Sequence, residues 1–376
     1  MPVFNKNATN HLEAKVFFDD NGGLGVARYD QVKYPILARI AKSQRGFNWG
    51  PEEVDINMDR LDFQKLTAHE QHIFTSNLKR QILLDSVQGR APALMFNTVT
   101  ALPEMENLAT TWTYFEEIHS ESYTHIIKNI YPSAGDVFDS MTTIPEIVAC
   151  AEDIARYYDD YEHHMYAYKL LGFGDHVING EKISITPYEM KKKLWLMLMS
   201  INVLEGVRFY VSFACSWAFA ETKRMEGNAK LIRFICRDEN LHLSATQKLL
   251  RSILPKDDPD FAKIRDETTE ECIRIFTTAI QQEKDWAKYL FRDGSIIGLN
   301  EDLLCQYVDY IGYQRMKAVG LTPPFKAVGS NPLPWTLGWI TSGGVQEAPQ
   351  EVEKSQYIVG GIEQDLNPER FAGFKL

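Results

Sequence analysis

The spacing of apolar residues predicts a mostly helical protein. From about Leu66 onward, long stretches repeat apolar residues at intervals of three and four, with few prolines inside them, and this is the period of an amphipathic helix. The clear exception is the stretch HVINGEKISIT at residues 176–186. There Asn179-Gly180 lies between short runs of β-branched residues and predicts a two-residue β-hairpin inserted between helices.

The most apolar stretch of the chain, residues 194–220, carries two charges near its middle, Glu205 and Arg208. A membrane-spanning helix needs about 20 apolar residues, and these charges divide the stretch into shorter apolar pieces. We therefore predict the central helix of a soluble bundle, about 40 Å long at about 1.5 Å per residue. Burial of an ionised Glu205 is costly without an ion pair, hydrogen bonds or a metal, and Arg208 at i+3 could supply the pair.

The chain divides into two predicted regions. Residues 1–340 form the predicted helical domain, although residues 1–30 follow no regular pattern. After Pro323 the sequence becomes rich in proline and glycine, with TPPF, SNPLP and TSGGVQEAPQ, a composition typical of turns and loops. Residues 341–376 contain too few apolar residues to build a core of their own, so we predict a flexible C-terminal tail.

Composition narrows the class of protein. The 376 residues include five scattered cysteines with no CxxC pair, which indicates neither a disulfide framework nor a zinc site. The formal net charge of -11 argues against a nucleic-acid binder, because such proteins rely on clustered Lys and Arg. We find no charged leader followed by an apolar signal core and no clean transmembrane segment. A cytoplasmic protein that acts on small molecules or proteins, with no membrane contact, is expected.

Two copies of Glu-x-x-His offer partners for the buried carboxylate. Glu116 and His119 form the first copy, and Glu239 and His242 form the second. Residues three apart share one face of a helix. A single copy is more often a surface pair or a satisfied polar contact, but each copy here has apolar or aromatic neighbours on its face. Both faces should therefore point inward.

Each copy also follows a further carboxylate at a similar distance. Asp85 lies 31 residues before Glu116, and Glu205 lies 34 residues before Glu239. Alone, Asp85 is better explained as a helix-end or salt-bridge residue. Together, four acids and two imidazoles from four helices match the di-metal arrangement of ferritin-like bundles. We predict an all-α, ferritin-like bundle whose oxygen-rich ligands suit iron or manganese.

Other polar clusters favour a structural explanation. HEQH at residues 69–72 is one residue short of the HExxH metal motif, so its histidines lack the i, i+4 spacing. DDYEHHMYAY at residues 159–168 spreads its charges around a helix, which is typical of a solvated face. DDNGGLG at residues 19–25 lacks the GxGxxG spacing of a phosphate loop, and the chain has no GxSxG motif of a serine hydrolase.

A tyrosine lies on the predicted ligand face. Tyr123 is four residues beyond His119 and so lies one turn farther along the same face. A core tyrosine is the ordinary explanation. However, Phe209, Phe213 and Ile235 lie on the other ligand-bearing faces, where they would form a dry apolar wall. A phenol shielded in this way beside an oxygen-activating metal pair could be oxidised and persist as a radical.

Several stretches closely resemble the small, radical-carrying subunit of class I aerobic ribonucleotide reductases of the enterobacterial and phage type. The stretches that contain the predicted ligands are LLDSVQGR, EEIHSESYTHII, LEGVRFYVSFACS and RDENLHL. The resemblance continues through QQEKDWAKYLFRDGSIIGLN, SNPLPW and QEVEKSQYIVG. It therefore covers nearly the whole chain.

The resemblance implies two iron ions linked by an oxo group, at ligands that would also hold manganese. Each ion would take one upstream acid and one Glu-x-x-His pair, and the glutamates of the two pairs would bridge the ions. The two ligand sets are Asp85, Glu116 and His119, and Glu205, Glu239 and His242.

The resemblance also implies a radical and a path for it. The radical residue would be Tyr123, in a pocket formed by Phe209, Phe213 and Ile235. Trp49 and Asp238 would form a hydrogen-bonded path from His119 toward the surface, and Tyr357 in the tail would relay the radical between subunits. The last residues, AGFKL, would dock into the large catalytic subunit.

The implied protein is a homodimeric subunit of ribonucleoside-diphosphate reductase that uses O2 to form a tyrosyl radical and passes its oxidising power to the large subunit. The alternatives are a ferritin-like di-iron oxygenase or desaturase and an iron-storage protein. A radical tyrosine and a tail relay favour the reductase, because neither alternative needs them.

Three positions depart from the family pattern. Phe115 is bulkier than the expected serine and could change the packing next to Glu116. Gly50 replaces a larger residue and could loosen the path through Trp49. Glu121 brings an acid where a basic residue is usual, but it lies about 200° around the helix from Tyr123 and should face away from it.

Overall fold

The computed structural model describes residues 4–8 and 10–341. Within these residues the chain forms a bundle of α-helices, which confirms the predicted all-α class. The helices are α1 Pro35–Gly46, α2 Asn57–Lys65, α3 Ala68–Gln88, α4 Pro92–Asn97, α5 Pro103–Ile130, α6 Ala134–Asp139, α7 Pro145–Leu171, α8 Pro187–Val203, α9 Phe209–Ala220, α10 Glu226–Lys248, α11 Leu254–Asp257, α12 Pro259–Glu267, α13 Thr269–Phe291, α14 Glu301–Ala318 and α15 Thr336–Thr341. Short 3-10 turns cover Pro51–Glu53 and Met141–Thr143.

Helix begins earlier than the sequence pattern predicts. Leu66 is the point at which the long periodic stretches become clear, whereas α1 already starts at Pro35. The first two helices have only 12 and 9 residues, too short for their periodicity to stand out. The described residues before Pro35 contain no helix, in agreement with the irregular pattern.

The predicted hairpin is present. Strand β1 covers Gly174–Ile178 and β2 covers Glu181–Ile185, paired antiparallel with Ile178 opposite Glu181. Asn179 and Gly180 form the turn with φ of 51° and 87°. Positive φ at both central residues is the conformation for which Asn-Gly is favoured in two-residue hairpins.

The apolar stretch around Glu205 lies in the middle of the bundle. Helices α8 and α9 run on as one 34-residue helix, Pro187–Ala220, whose most apolar window is entirely buried inside the protein. Burial within the bundle explains a composition that would also suit a membrane span. The two helices are joined by a π-helical segment, Leu204–Arg208, which contains Glu205. The sequence predicted an uninterrupted α-helix here, and π segments are often found at functional sites.

Arg208 does not pair with Glu205. Its guanidinium instead donates to Asp153 of α7 at 2.8 Å and to Glu283 of α13 at 3.2 Å. Glu283 also accepts from Arg80 of α3. This buried ion cluster ties the π segment to three other helices and leaves Glu205 free to face the centre of the bundle.

Candidate metal centre

Four helical segments bring six ligand-type side chains to one place. Helix α5 presents Glu116 and His119, and α10 presents Glu239 and His242, each pair one turn apart on an inward face. Helix α3 adds Asp85 near its C-terminal end, and the π segment adds Glu205. All six side chains have zero solvent exposure. The faces predicted to point inward therefore do so.

The six side chains form two adjacent ligand groups. In each group, one ligand atom per residue lies within 4.8 Å of the others. The first group is Asp85, Glu116, His119 and Glu239, and the second is Glu116, Glu205, Glu239 and His242. Glu116 and Glu239 belong to both groups.

The two histidines turn the same ring nitrogen toward the carboxylates. His119 Nδ1 lies 3.2 Å from Glu239 Oε1 and 3.6 Å from Glu116 Oε2. His242 Nδ1 lies 3.0 Å from Glu239 Oε2 and 3.2 Å from Glu116 Oε1. Neutral imidazole nitrogen and carboxylate oxygen together suit iron, manganese and related divalent ions.

The outward nitrogens of the two histidines have different partners. His119 Nε2 lies 3.3 Å from Asp238 Oδ2, and the same oxygen accepts a 2.8 Å hydrogen bond from Trp49 Nε1. His242 Nε2 lies 2.5 Å from the side-chain amide of Gln44. Such outer partners fix the tautomer and the orientation of a ligating histidine. The structure thus brings Trp49, Asp238 and His119 into one hydrogen-bonded chain.

Sequence reasoning missed three residues that hold the carboxylates and imidazoles. Trp112 Nε1 donates to Glu116 Oε1 at 2.8 Å, and its ring stacks on His242 at 4.6 Å. Gln88 Nε2 donates to Glu205 Oε1 at 2.7 Å, and Gln44 contacts His242. A signal existed for Trp112, which lies four residues before Glu116 on the same face. None existed for Gln44, because it comes from a helix outside the ligand pattern.

Burial and neighbouring charges shift the pKa values of the four acids in opposite directions. Burial and the charges of neighbouring acids raise the pKa of both Asp85 and Glu205 well above the ordinary carboxyl value. Burial also acts to raise the pKa of Glu116 and Glu239, but the two histidines, and for Glu239 first the hydrogen bond with Glu205, outweigh it and hold these values below the usual range.

The pKa values of the two histidines are raised by the neighbouring carboxylates. Burial acts to lower the pKa of His119, but its close contacts with the carboxylates of Asp238, Glu116 and Glu239 raise it well above the ordinary value. The pKa of His242 is raised by Glu116 and Glu239 in the same way. The pKa values of the two histidines, Asp85 and Glu205 are thus raised, whereas those of Glu116 and Glu239 are lowered.

Unsatisfied buried atoms show that the residues present fit a pair of cations. Both carboxylate oxygens of Asp85, one oxygen each of Glu116, Glu205 and Glu239, and Nδ1 of His119 have no hydrogen-bond partner among the described residues. Buried polar groups are rarely left in this state, since the cost is about 1–3 kcal/mol each. Two divalent ions would satisfy these atoms and neutralise the four acids.

Metal binding should release protons and strengthen with pH. Asp85, Glu205, His119 and His242 can each give up one proton, so a pair of ions should displace up to four, because ligands bind metal only when deprotonated. Apparent affinity for Mn(II) should fall as pH is lowered. Titration of metal-free protein in weakly buffered indicator solution would count the protons.

The free energy of unfolding of metal-free protein should fall as pH rises. Each of these four groups has a folded pKa above its unfolded value, so its stabilising effect is complete below the unfolded pKa and is lost as pH rises through the folded pKa. Urea unfolding of metal-free protein should therefore show stability falling from about pH 4 upward for the acids and from about pH 6.5 upward for the histidines. An Mn(II) affinity that did not change with pH, or a free energy of unfolding that did not fall as pH rose, would contradict the raised pKa values of these four groups.

Tyr123 lies in the dry interior near the first ligand group. Its side chain has zero exposure, and no residue that the structure describes hydrogen-bonds its hydroxyl. Burial and the charge of Asp85 raise its pKa well above 10. Phe209, Phe213 and Ile235 also have zero exposure and belong to the same apolar core, with the two phenylalanine rings stacked 5.5 Å apart.

The competing clusters have structural roles. Thr67 and Glu70 form a capping box at the start of α3, and Glu70 pairs with Arg224 at 2.7 Å. His69 is exposed and contacts the backbone oxygen of Ser295 at 3.1 Å. At residues 159–168 the acidic side chains are exposed or partly exposed. Neither cluster belongs to a ligand group found among the described residues.

The three departures leave the ligand groups in place. Phe115 is fully buried and packs edge-on against Tyr114 at 5.4 Å. Gly50 has an extended backbone with φ of -125°, which any residue adopts, and Trp49 beside it keeps its bond to Asp238. Glu121 is exposed, as its position around the helix predicts. Tyr357 and the AGFKL terminus lie outside the described residues.

Comparison with known proteins identifies relatives over the full length of the chain. A family model described as "Ribonucleotide reductase, small chain" matches residues 27–332. The "Ribonucleoside-diphosphate reductase 1 subunit beta" of Escherichia coli O157:H7 is 50% identical over 375 residues, covering 100% of this chain and 99% of that one. The beta subunit of Enterobacteria phage T4 is 40% identical over 387 residues, covering 99% and 98%.

Solved structures agree on the fold. The ribonucleotide reductase R2 subunit from Clostridium botulinum superimposes with a TM-score of 0.73 at 21% identity, covering 90% of this chain and 98% of that one. Streptococcus sanguinis dimanganese(II)-NrdF gives a TM-score of 0.64 at 16% identity, covering 84% and 98%. These likenesses confirm the predicted ferritin-like bundle.

Proposed function

The chain belongs to the family of ribonucleotide reductase small chains, the beta subunits of ribonucleoside-diphosphate reductases, and on that premise we propose that it forms and stores a radical at Tyr123 beside a two-iron centre. The large subunit would use this radical to reduce ribonucleotides to deoxyribonucleotides. Identity of 50% over the whole chain favours this function over an oxygenase, a desaturase or iron storage.

One observation carries the proposal: two ligand groups share Glu116 and Glu239 inside a site closed to solvent. Asp85, Glu116 and His119 would hold one ion, and Glu205, Glu239 and His242 the other. Two Fe(II) ions held there would give two of the four electrons that reduce O2 to the level of water, while the phenol of Tyr123 would give the third and an external reductant, such as excess Fe(II), the fourth. The same donors also suit manganese, so the ligand set favours a pair of first-row ions without selecting between iron and manganese.

The surroundings of Tyr123 suit a stored radical. A phenol that loses an electron also loses its proton, and the raised pKa of Tyr123 keeps that proton on the hydroxyl until oxidation. Asp85 is the carboxylate whose charge acts most strongly on this hydroxyl, and we assign it as the proton acceptor. Zero exposure and the apolar residues Phe209, Phe213 and Ile235 keep water and reductants away.

The hydrogen-bonded chain from the metal site provides an exit. His119, Asp238 and Trp49 are joined by contacts of 3.3 and 2.8 Å, and Trp49 is 3% exposed. We assign these residues to the path by which the oxidising equivalent leaves Tyr123. Asp238 Oδ2 joins the two rings, because it accepts from Trp49 Nε1 and lies beside His119 Nε2. Tyr357 would continue the path at the boundary with the large subunit.

The direct test is the assembly of the radical. Metal-free protein is reconstituted with Fe(II) and O2, and the electron paramagnetic resonance spectrum is recorded at low temperature. The proposal expects two irons per chain, a tyrosyl signal and turnover once the large subunit is added. Two bound irons with no organic radical would favour an oxygenase of the same fold.

We expect the subunit to work as a cytoplasmic homodimer that docks its tail on the large subunit. Residues 341–376 contain isolated apolar residues at Phe371, Phe374 and Leu376. Aromatic anchors on a short segment that folds on binding suit grooves on a partner. The segment would also carry Tyr357 to the place where the two proteins meet.

Two tail variants should separate docking from radical transfer. Deletion of residues 370–376 should weaken association with the large subunit by at least about a hundredfold, because it removes three anchors and each fully buried anchor contributes about 1.5–3 kcal/mol. Tyr357→Phe should leave association nearly unchanged and block turnover. Calorimetry beside a turnover assay measures both. Tight binding by the truncated chain would disprove the docking role, and full turnover by Tyr357→Phe would place the relay elsewhere.

A further inference from the structure

A pocket of 420 Å³ opens at the surface and has two of the predicted ligand residues in its lining. It lies between the C-terminal end of α3, with Gly89 and Arg90, and the middle of α5, with Glu117 and Glu121; Asp85 and Glu116 also line it. We propose that this pocket is the route by which divalent metal ions reach the centre, and that Glu117 and Glu121 capture them. The inference rests on the metal centre proposed above.

The inner end of the pocket presents bare acceptors. Asp85 and Glu116 have zero exposure, and Asp85 Oδ1, Asp85 Oδ2 and Glu116 Oε2 have no hydrogen-bond partner among the described residues. A buried carboxylate oxygen without a partner is costly and attracts a cation. An ion that passes between α3 and α5 therefore meets two ligands of the first group directly.

The outer end of the pocket carries two solvent-exposed carboxylates. Glu117 and Glu121 are exposed and lie one turn apart on α5. Within the described part of the chain, neither forms an ion pair, and the same holds for Arg90. The outer end of the pocket thus sets the two exposed carboxylates of Glu117 and Glu121 against the one guanidinium of Arg90. Clefts of one sign concentrate counter-ions and raise association rates by about 10- to 1,000-fold at low salt.

Gly89 leaves the passage open between the two ends. A Cβ placed on this residue would lie 3.4 Å from the Cβ of Glu116 and 3.1 Å from the backbone oxygen of Asp85. Its backbone is helical, with φ of -58°, so glycine is not required for conformation. The missing side chain matters because any longer one would project against Glu116 and narrow the route to the centre.

The test is the rate of metal uptake rather than enzyme activity. Metal-free protein is mixed rapidly with Mn(II) under argon, and the loss of the free-ion paramagnetic signal is followed. The variant is Glu117→Gln with Glu121→Gln. Its matched control is Glu152→Gln with Glu181→Gln, two exposed glutamates of α7 and β2, which changes the net charge equally at a distance from the pocket.

The double variant should take up Mn(II) about tenfold more slowly than the control at low salt, and the difference should shrink as salt is added. Both proteins should still bind two ions per chain. Gly89→Leu, checked for native helix content, should slow uptake at every salt concentration, because its block is steric.

Two results would overturn the route. Equal uptake rates in the two double variants would do so, as would unchanged uptake in Gly89→Leu, and the pocket would then serve O2 or a small reductant instead. A chain that bound no pair of ions in any variant would contradict the metal centre itself, and the route with it. The number of ions bound separates these failures.

Discussion

Tyr123→Phe should abolish the radical and ribonucleotide reduction while two metal ions remain bound. The change removes only a hydroxyl from a side chain with zero exposure and no hydrogen-bond partner among the described residues. Removal of such a group should change the free energy of unfolding by no more than about 1 kcal/mol. A benzyl ring cannot lose a proton with its electron, so activity should fall to background.

A matched control is available in the same core. Tyr161 also has zero exposure, and its hydroxyl donates to the backbone oxygen of Met95 at 3.2 Å. Tyr161→Phe removes the same atom at a position outside both ligand groups. Its radical spectrum, iron content and turnover should match those of the unchanged protein. A full tyrosyl signal in Tyr123→Phe would move the radical to another tyrosine.

Glu283→Ala should destabilise the fold by about 3–5 kcal/mol, the usual cost of leaving a buried charge without its partner. Glu283 Oε1 accepts from both Arg80 and Arg208, and all three side chains are at most 2% exposed. Arg208 would keep Asp153, whereas Arg80 forms no other ion pair within the described residues. Its stacking on Trp286, 4.7 Å away, would remain but cannot neutralise the charge.

The measurement is urea unfolding of metal-loaded protein at one fixed protein concentration, because bound metal and dimerisation both raise apparent stability. Asp309→Ala supplies the control. It breaks the pair of Asp309 with Lys284, which is 2.7 Å long and nearly 30% exposed on each side. Partly exposed pairs contribute about 0–1 kcal/mol. Equal losses in the two variants would show that the buried cluster does not stabilise this protein more than a surface pair does.

The sequence predicted the features that depend only on residues close to one another along the chain. The spacing of apolar residues predicted helices, and Asn179-Gly180 predicted the hairpin turn, because backbone preferences act over a few residues. The Glu-x-x-His spacing predicted that Glu116 and His119 share a face, since a helix fixes residues three apart. Each of these inferences needed only local geometry.

Sequence patterns could not show how the helices meet. The π segment at Glu205 breaks the α-helical period in a stretch where nearly every residue is apolar, so no pattern marks it. The partners of Arg208 come from α7 and α13, 55 and 75 residues away. Gln44 reaches His242 across 198 residues. Long-range contacts of this kind depend on the packing of whole helices.

The sequence by itself determined the helical class, the hairpin and the six ligand-type side chains, because each rests on residue type and on spacing within one helix. The resemblance only implied that Glu116 and Glu239 are shared and that Trp49 and Asp238 connect to His119, and the tertiary structure decided the contacts themselves. Only the tertiary structure decided that a pocket lies beside Gly89 with Asp85 in its lining. The physical reason is one of scale. Helical periodicity sets which residues share a face, whereas close packing of several helices sets which faces meet.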